Sequence, residues 1–427
     1  METAMTPAAI TLRNYRAFAA PVELELRPIT LLFGSNNSGK SALLRSLPLL
    51  GDSVSAEARG ALDLESAAVR GSTFHDLRWK GIGEDEDPDL GLGLRWNGGG
   101  APVEVEYHVT WFSEWRRLIL RQIAVEVGGE GKLTGSWVPR PDEREGKELT
   151  YELGVPEAPR RVPVRIGFRG LVPETYPEEY RPLLDPVKER LQELRGQIQW
   201  LSALRQPPSR IVGYSTAPRW RIHPDGSDAT KALTASPELL EEVSAWYERH
   251  FDRELHLLEV PGSGFRLMLR HLKKAELDVD LVDAGEGLVQ VLPVLVALAL
   301  GCRRSSGGPG ILAFEEPESH LHPPLQRALA HILCASAMGE SSPRLVVETH
   351  SEHLLLGVQL EIVEGRLRPE DVQVYWVRQL PGGQSVAESV TFDRKARPQG
   401  NWPPEVFSED TEVARAILRA RRELQEP

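Results

Sequence analysis

The sequence predicts an α/β fold that carries an antiparallel β-subdomain and a helical insertion, and three observations predict it. Residues 29–50 ("ITLLFGSNNSGKSALLRSLPLL") pass from an apolar strand through a glycine-bearing loop into a helix. From about 89 to 168, apolar and polar residues alternate in short runs separated by turn residues ("GLGLRW", "VEVEYHVTWF", "LILRQIAVEVGG", "VPVRIGFRG"), as half-buried antiparallel strands require. After strands at about 255–282, strand-like and helix-like stretches alternate to about residue 380, the order that builds a parallel sheet covered by helices.

Taken in order, "AITLRNY", "VELEL" and "ITLLF" are short strands leading into the loop, and the helix after it runs through Leu50. The β-meander follows. A proline-dotted stretch from Pro173 to Pro186 gives way to "VKERLQELRGQIQWLSAL", whose apolar spacing of three and four predicts an amphipathic helix ended by "RQPPSR". A second helix is expected near "SPELLEEVSAWYERHF", then strands at about 255–282. The tail "GNWPPEVFSEDTEVARAILRARRELQEP" reads as an aromatic-proline turn and a last charged helix. The expected division is an N-terminal lobe at 1–170, a helical insertion at 171–253 and a C-terminal lobe at 254–427.

Bulk properties exclude several classes. Charged residues are 26% and hydrophobic ones 41%, values of globular rather than disordered or membrane proteins. The apolar run "LVQVLPVLVALAL" at 288–300 is too short to span a bilayer and reads as a buried helix. The N-terminus has no basic stretch followed by an apolar core and cleavage site, so a cytoplasmic protein without a membrane partner is expected. Net charge is 50 − 62 = −12, which argues against a wholly basic nucleic-acid binder. Cys302 and Cys334 belong to no CxxC pair and are expected as core thiols, which leaves no thiolate metal site.

Chemistry concentrates in three stretches. Gly34-Ser35-Asn36-Asn37-Ser38-Gly39-Lys40-Ser41 fits G-x-x-x-x-G-K-[ST], with a strand before it and a helix after it. Gly34 and Gly39 let the backbone fold into a nest of N–H donors, with Asn36, Asn37 and Ser38 between them. Lys40 reaches β and γ phosphates, the helix N-terminus favours the anion, and the Ser41 hydroxyl can ligate Mg²⁺; ATP and Mg²⁺ are therefore the expected ligands. In "GILAFEEPESHLHP" (310–323) an apolar strand ends in two carboxylates. Glu315 is the expected metal-side acid and Glu316 the catalytic base. In "RLVVETHSEHLL" (344–355) another strand delivers His350 to its end, where an imidazole can sense a γ-phosphate.

These stretches, with "VDAGEGLVQVLP" about thirty residues before the acidic pair and a long insertion after the first, resemble the SMC-like branch of the ABC ATPases. More closely they resemble the bacterial ABC/AAA ATPases related to the OLD (overcoming lysogenization defect) proteins of antiphage defence. "LSALRQPPSR" and "NWPPEVF" carry lesser parts of the same resemblance. The resemblance implies an ABC/SMC-like P-loop NTPase head. It also implies that "VDAGEG" is the signature loop, with Asp283, Gly285 and Gly287 capping the γ-phosphate held by a second copy, so that two ATP molecules lie in a head-to-head homodimer or higher oligomer. Asn36 and Lys40 would bind phosphate, Ser41 would hold Mg²⁺, His322 would sit in the D-loop, and His350 would be the switch histidine. Arg13 and Arg16 in "LRNYRAF" would reach the nucleotide, a solvated strand edge being the alternative. The lid glutamine has no clear counterpart, and His75 or Asp76 in "STFHDLRWKG" is the candidate.

OLD nucleases continue into a Toprim domain, for which the chain leaves no room. Asp278-Val279-Asp280 is better explained by alternation in a strand, so no intrinsic nuclease is expected. The implied function is an ATPase whose ATP-sandwich dimer controls an effector protein, a nuclease or toxin, in antiphage defence. The alternatives are a DNA repair or recombination ATPase that clamps DNA, and an ATP-binding scaffold with little turnover. For DNA, the candidate track is "RQPPSRIVGYSTAPRWR", with Arg205, Arg210, Arg219 and Arg221 interleaved by Tyr214 and Trp220; an ordinary loop packed on the head is the other reading.

Overall fold

The computed structural model describes residues 6–58, 60–81, 89–144, 148–154, 161–214, 219–339 and 342–402. The N-terminal elements are β1 (Ala9–Arg13), β2 (Val22–Glu25), β3 (Ile29–Phe33), α1 (Lys40–Ser53) and α2 (Phe74–Leu77). The meander comprises β4 (Leu90–Trp96), β5 (Val103–Phe112), β6 (Arg117–Val127), β7 (Gly131–Trp137), β8 (Glu148–Gly154), β9 (Val162–Arg169) and β10 (Val172–Thr175). Then come α3 (Arg181–Leu194), β11 (Ile198–Leu201), α4 (Ala229–Ala235), α5 (Pro237–Phe251), β12 (Arg253–Val260), β13 (Gly264–His271) and β14 (Lys274–Asp280). The remainder is α6 (Glu286–Gly301), β15 (Ile311–Glu315), α7 (Pro323–Ser336), β16 (Arg344–Thr349), α8 (Glu352–Val363), β17 (Val372–Gln379), β18 (Ser385–Phe392) and β19 (Pro398–Gly400).

The apolar runs form the central sheet, in the order β11-β15-β16-β3-β17-β18-β19. Its first five strands are parallel, and β18 and β19 return antiparallel. Every residue of β3 and β15 is buried, as expected of parallel strands covered on both faces. Alternation divides them between two cores. Leu32, Ile311, Ala313 and Val346 join α1 in one core, whereas Leu31, Phe33, Leu312, Phe314, Leu345 and Val347 join α6, α7 and α8 in the other.

The predicted meander is present, and it runs further than the alternating stretch. β4 to β10 pair in sequence, and β1 and β2 extend the sheet to nine antiparallel strands. In β5, Val103, Val105, Tyr107 and Val109 are buried while Glu104, Glu106 and His108 turn outward. A third sheet, β12-β13-β14, packs Leu255, Leu267 and Leu269 into the second core.

The helix expected across residues 187–204 stops early. α3 ends at Leu194, Gly196 turns with φ +72°, and residues 198–201 form edge strand β11 beside β15. Glycine frees the chain to leave the helix there, and "QIQWL" alternates as a strand does. The elements of 171–253 divide between the two cores: α3 buries Leu184, Val187 and Leu191 in the first, α4 and α5 bury Leu233, Leu239 and Val243 in the second. The last charged helix expected in the tail lies at 403–427, outside the described residues. Cys334 is buried, but Cys302 is exposed, so only one of the two expected core thiols is in a core. Among the described residues no helix is long and apolar enough to cross a membrane.

Candidate functional site

The glycine loop leaves the C-terminal end of β3 and is shaped by positions where a side chain cannot fit. Gly34 has φ +151°, and a Cβ there would lie 2.1 Å from the Val377 carbonyl oxygen. Asn37 and Gly39 adopt φ of +62° and +103°, which bend the loop back over its own helix. Ser35, Asn36 and Asn37 are exposed at the tip, and Ser38 is buried. Lys40, the first residue of α1, is buried and donates to the carbonyls of Gly34 at 3.0 Å and Ser35 at 2.8 Å. Burial holds its ammonium below the usual lysine pKa, against the opposing pull of Glu348 and Glu316.

Strand register decides which acids meet this loop. Glu315 of β15 pairs with Glu348 of β16, and Glu348 pairs with Leu32 of β3. Both carboxylates follow residues of the α1-facing core, so alternation puts both on the α1 side, one strand apart. They have different partners. Glu315 is 1% exposed and takes a bidentate pair from Arg45 at 2.6 and 2.6 Å, with the Trp200 indole N–H at 3.0 Å. Glu348, one strand closer to the loop, accepts the Ser41 hydroxyl at 2.7 Å, and its Oε2 is buried without a hydrogen-bond partner. Glu315, expected beside Ser41 and a metal, thus stands against Arg45, one helical turn further along α1. Burial raises the Glu348 carboxyl to about 7, with the charges of Glu315 and Glu316 adding to it and Ser41 and Lys40 opposing it.

Glu316 is the first residue beyond β15 and bends sharply, with φ +43°. Its N–H donates to the Glu348 carbonyl at 2.8 Å, and the Ser319 hydroxyl donates to its Oε2 at 3.2 Å. His350 Nε2 lies 3.8 Å from its Oε1. Burial and the Lys40 charge lower the His350 pKa, which favours the neutral ring. The ligating atoms of Glu316, Glu348 and His350 all fall within 4.8 Å of one another, so these three are the described side chains that could share a cation. Glu318, also buried, accepts the Thr349 hydroxyl at 2.5 Å and the His350 N–H at 3.3 Å, tying the ends of β15 and β16 together.

The turn before α6 lies across the neighbouring surface. Gly285 is the exposed N-cap of α6, with no heavy atom within 4 Å of where a Cβ would point. At Gly287 a Cβ would meet the His320 carbonyl at 2.8 Å, so the first turn of α6 rests on the loop that leads to His322, the exposed N-cap of α7. Asp283 is held by Arg210 through two bonds of 2.7 Å. That carboxylate is therefore paired with a guanidinium of its own chain.

Other expected residues are distributed less favourably. Arg16 donates to the Val69 carbonyl at 3.4 Å, while Arg13 lies in β1 opposite Gly91 and makes no ion pair among the described residues. Ala17 and Phe18, which follow Arg16, have side chains that abut Gly39. Asp76 is spent on capping α2, accepting from Thr73 N–H and hydroxyl at 3.0 and 2.8 Å, and His75 packs on Phe74. The Asp76 carboxylate is thus engaged within its own chain, whereas His75 is exposed. Of the supposed DNA track, Arg205 is buried, Arg210 holds Asp283 and Arg219 holds Asp228 at 2.9 Å, so these three do not form a free basic groove. Sequence reasoning missed Glu348, Glu318 and Arg45, and it offered Arg205 to a DNA track rather than to the carbonyls of Glu315 and Glu316. The available signal was that Glu348 stands two residues before His350, directly after the apolar run Leu345-Val346-Val347.

Residues 198–356 match a family model described as "AAA domain, putative AbiEii toxin, Type IV TA system", and residues 5–71 match one described as "AAA ATPase domain". No curated protein matches the sequence. Among solved structures, the Smc head domain with an extended coiled coil bound to the C-terminal domain of ScpA, from Pyrococcus furiosus, is 11% identical, with 98% of this chain and 99% of that chain covered and a TM-score of 0.50. The SMC head domain from Thermotoga maritima is 14% identical, with 90% and 98% covered and a TM-score of 0.46. Two parts of the chain thus match models of AAA ATPase domains, and the fold resembles that of an SMC head.

Proposed function

We propose that the chain binds ATP with Mg²⁺ on the 34–41 loop, hydrolyses it, and uses the ATP-bound state to associate head to head with a second copy. The carrying observation is that one sheet end brings Lys40 and Ser41 of the loop together with Glu316, Glu348 and His350. Lys40 is poised to exchange two loop carbonyls for phosphate oxygens. Glu316, half-exposed and steadied by Ser319, is the group able to accept a proton from an attacking water. The neutral ring of His350 can hold a hydrogen bond beside it. Mg²⁺, when bound, supplies positive charge to the phosphate oxygens.

The exposed start of α6, at Gly285, is the surface by which one copy would cap the nucleotide of another. Control of an effector, a nuclease or toxin in antiphage defence of the OLD-related kind, is the biological reading. The description of the family matching residues 198–356 supports it, since it joins an AAA domain to a toxin system. A DNA clamp is not favoured, because three of the four arginines it would use are engaged within the chain. The test is ATP turnover by the purified protein, together with its mass with and without ATP in the Glu316→Gln variant. Turnover lost and mass doubled by ATP support the switch. Unchanged mass at saturating ATP leaves a nucleotide-binding scaffold.

A further inference from the structure

Two carboxylates side by side on neighbouring strands cannot serve the same purpose, and their partners separate them. Adjacent strands lie about 4.8 Å apart, so two ionised acids on one face repel unless each has its own positive partner. Glu315 has one: Arg45 occupies both of its oxygens, Trp200 adds a third bond, and Arg70 stands 3.8 Å away. A cation entering there would have to displace a buried bidentate guanidinium pair.

Glu348 has no such partner. It is 4% exposed, makes no ion pair within 4 Å among the described residues, and leaves Oε2 buried and unbonded. Lys40, the nearest loop cation by sequence, is turned to backbone carbonyls instead. The Ser41 hydroxyl gives its only proton to Glu348 Oε1, so its lone pairs remain free to face a cation. The ligating atoms of Glu316 and His350 complete a cluster within 4.8 Å.

We propose that the divalent cation of the nucleotide site is held by Ser41 and Glu348, with Glu316 and His350 beside it, and that Glu315 is a structural counter-ion for Arg45. This rests on the nucleotide reading above and changes which strand supplies the metal-side acid. The acid comes from the strand that adjoins β3, and the acidic strand β15 contributes only Glu316.

Two measurements on the full chain test it: the affinity of a fluorescent ATP analogue in excess Mg²⁺ and in EDTA, and Mn²⁺ binding in the presence of ATP followed by the loss of the free-ion electron paramagnetic resonance signal. Glu348→Gln should weaken Mn²⁺ binding by about tenfold or more and remove most of the Mg²⁺-dependent gain in nucleotide affinity, while affinity in EDTA stays as in wild type. Glu315→Gln should keep both metal readouts and instead lower the melting temperature, because Arg45 loses its charged partner. Glu348→Asp serves if the glutamine variant does not fold, and should weaken Mn²⁺ in the same direction because its carboxylate is withdrawn by one methylene. Metal binding lost in Glu315→Gln and kept in both Glu348 variants overturns the assignment. A wild-type protein that binds no nucleotide with or without Mg²⁺ refutes the nucleotide reading itself, a result separate from either pattern.

Discussion

Arg205 donates to the carbonyl oxygen of Glu316 at 3.0 Å, from a position that is itself 5% exposed. The same guanidinium reaches the Glu315 carbonyl at 3.3 Å and Gln290 Oε1 at 3.3 Å. Gln290 returns a bond to the Arg205 carbonyl at 3.1 Å and holds Glu286 at 2.8 Å. A continuous set of hydrogen bonds therefore joins the start of α6 to the left-handed backbone of Glu316. Burial brings the Arg205 pKa down to about 10, which still leaves it charged at neutral pH.

Arg205→Met keeps much of the side-chain volume and removes every donor. The two buried acceptors left without it, the Glu315 carbonyl and Gln290 Oε1, would each cost about 1–3 kcal/mol, so the melting temperature should fall. The more telling expectation is a fall in kcat larger than any change in ATP affinity, because Glu316 loses its backbone support while the 34–41 loop does not touch Arg205. A destabilised variant with wild-type kcat would reduce Arg205 to a packing role.

Lys40→Ala should abolish measurable ATP binding by calorimetry while the protein stays folded. The lysine hydrogen-bonds to carbonyls of its own loop, so its removal breaks no hydrogen bond to a carboxylate, although buried Glu348 loses the nearby positive charge. Wild-type ATP affinity in this variant would detach the loop from nucleotide binding.

Glu316→Gln should retain ATP and lose turnover by roughly 10²–10⁴-fold, since an amide cannot take the proton of the attacking water. Ser319 can still donate to the amide oxygen, so the local hydrogen bond survives. Turnover at the wild-type rate would move the general base to another residue.

Much of this was legible because it depends on neighbours in sequence. The β3-loop-α1 unit announces itself through "ITLLF", two glycines and Lys40-Ser41, and Glu316 and His350 are polar residues at the ends of apolar strands. The meander was legible for the same reason, since β4 to β10 pair in order. What was not legible depends on register between distant strands. Glu348 lies 307 positions from Ser41, and only the order β15-β16-β3 puts its carboxylate, rather than that of Glu315, against the hydroxyl. Arg205 looked like surface because "RQPPSR" is polar and proline-rich, whereas tertiary packing turned its guanidinium inward onto carbonyls. β11 was hidden inside a helical pattern, and a single glycine at 196 decided it.

Gly285 and Gly287 give a paired test of the head-to-head association. A side chain at Gly285 meets nothing within 4 Å in its own chain, so Gly285→Arg should fold with a wild-type melting temperature. Gly287→Ala should lower that temperature, because its Cβ would stand 2.8 Å from the His320 carbonyl. The two variants thus separate disturbance of the chain itself from disturbance of a surface that matters only when a second copy arrives. If the start of α6 caps nucleotide held by that copy, the arginine occupies space where backbone must approach phosphate. ATP affinity should be preserved, since none of the loop residues 34–41 is altered, yet kcat should fall steeply because the attacking water is no longer enclosed against Glu316. Light scattering on the Glu316→Gln background should show an ATP-dependent rise in mass that the added Gly285→Arg change removes. A Gly285→Arg protein that still associates with ATP and turns it over at the wild-type rate would show that this turn faces solvent throughout the cycle.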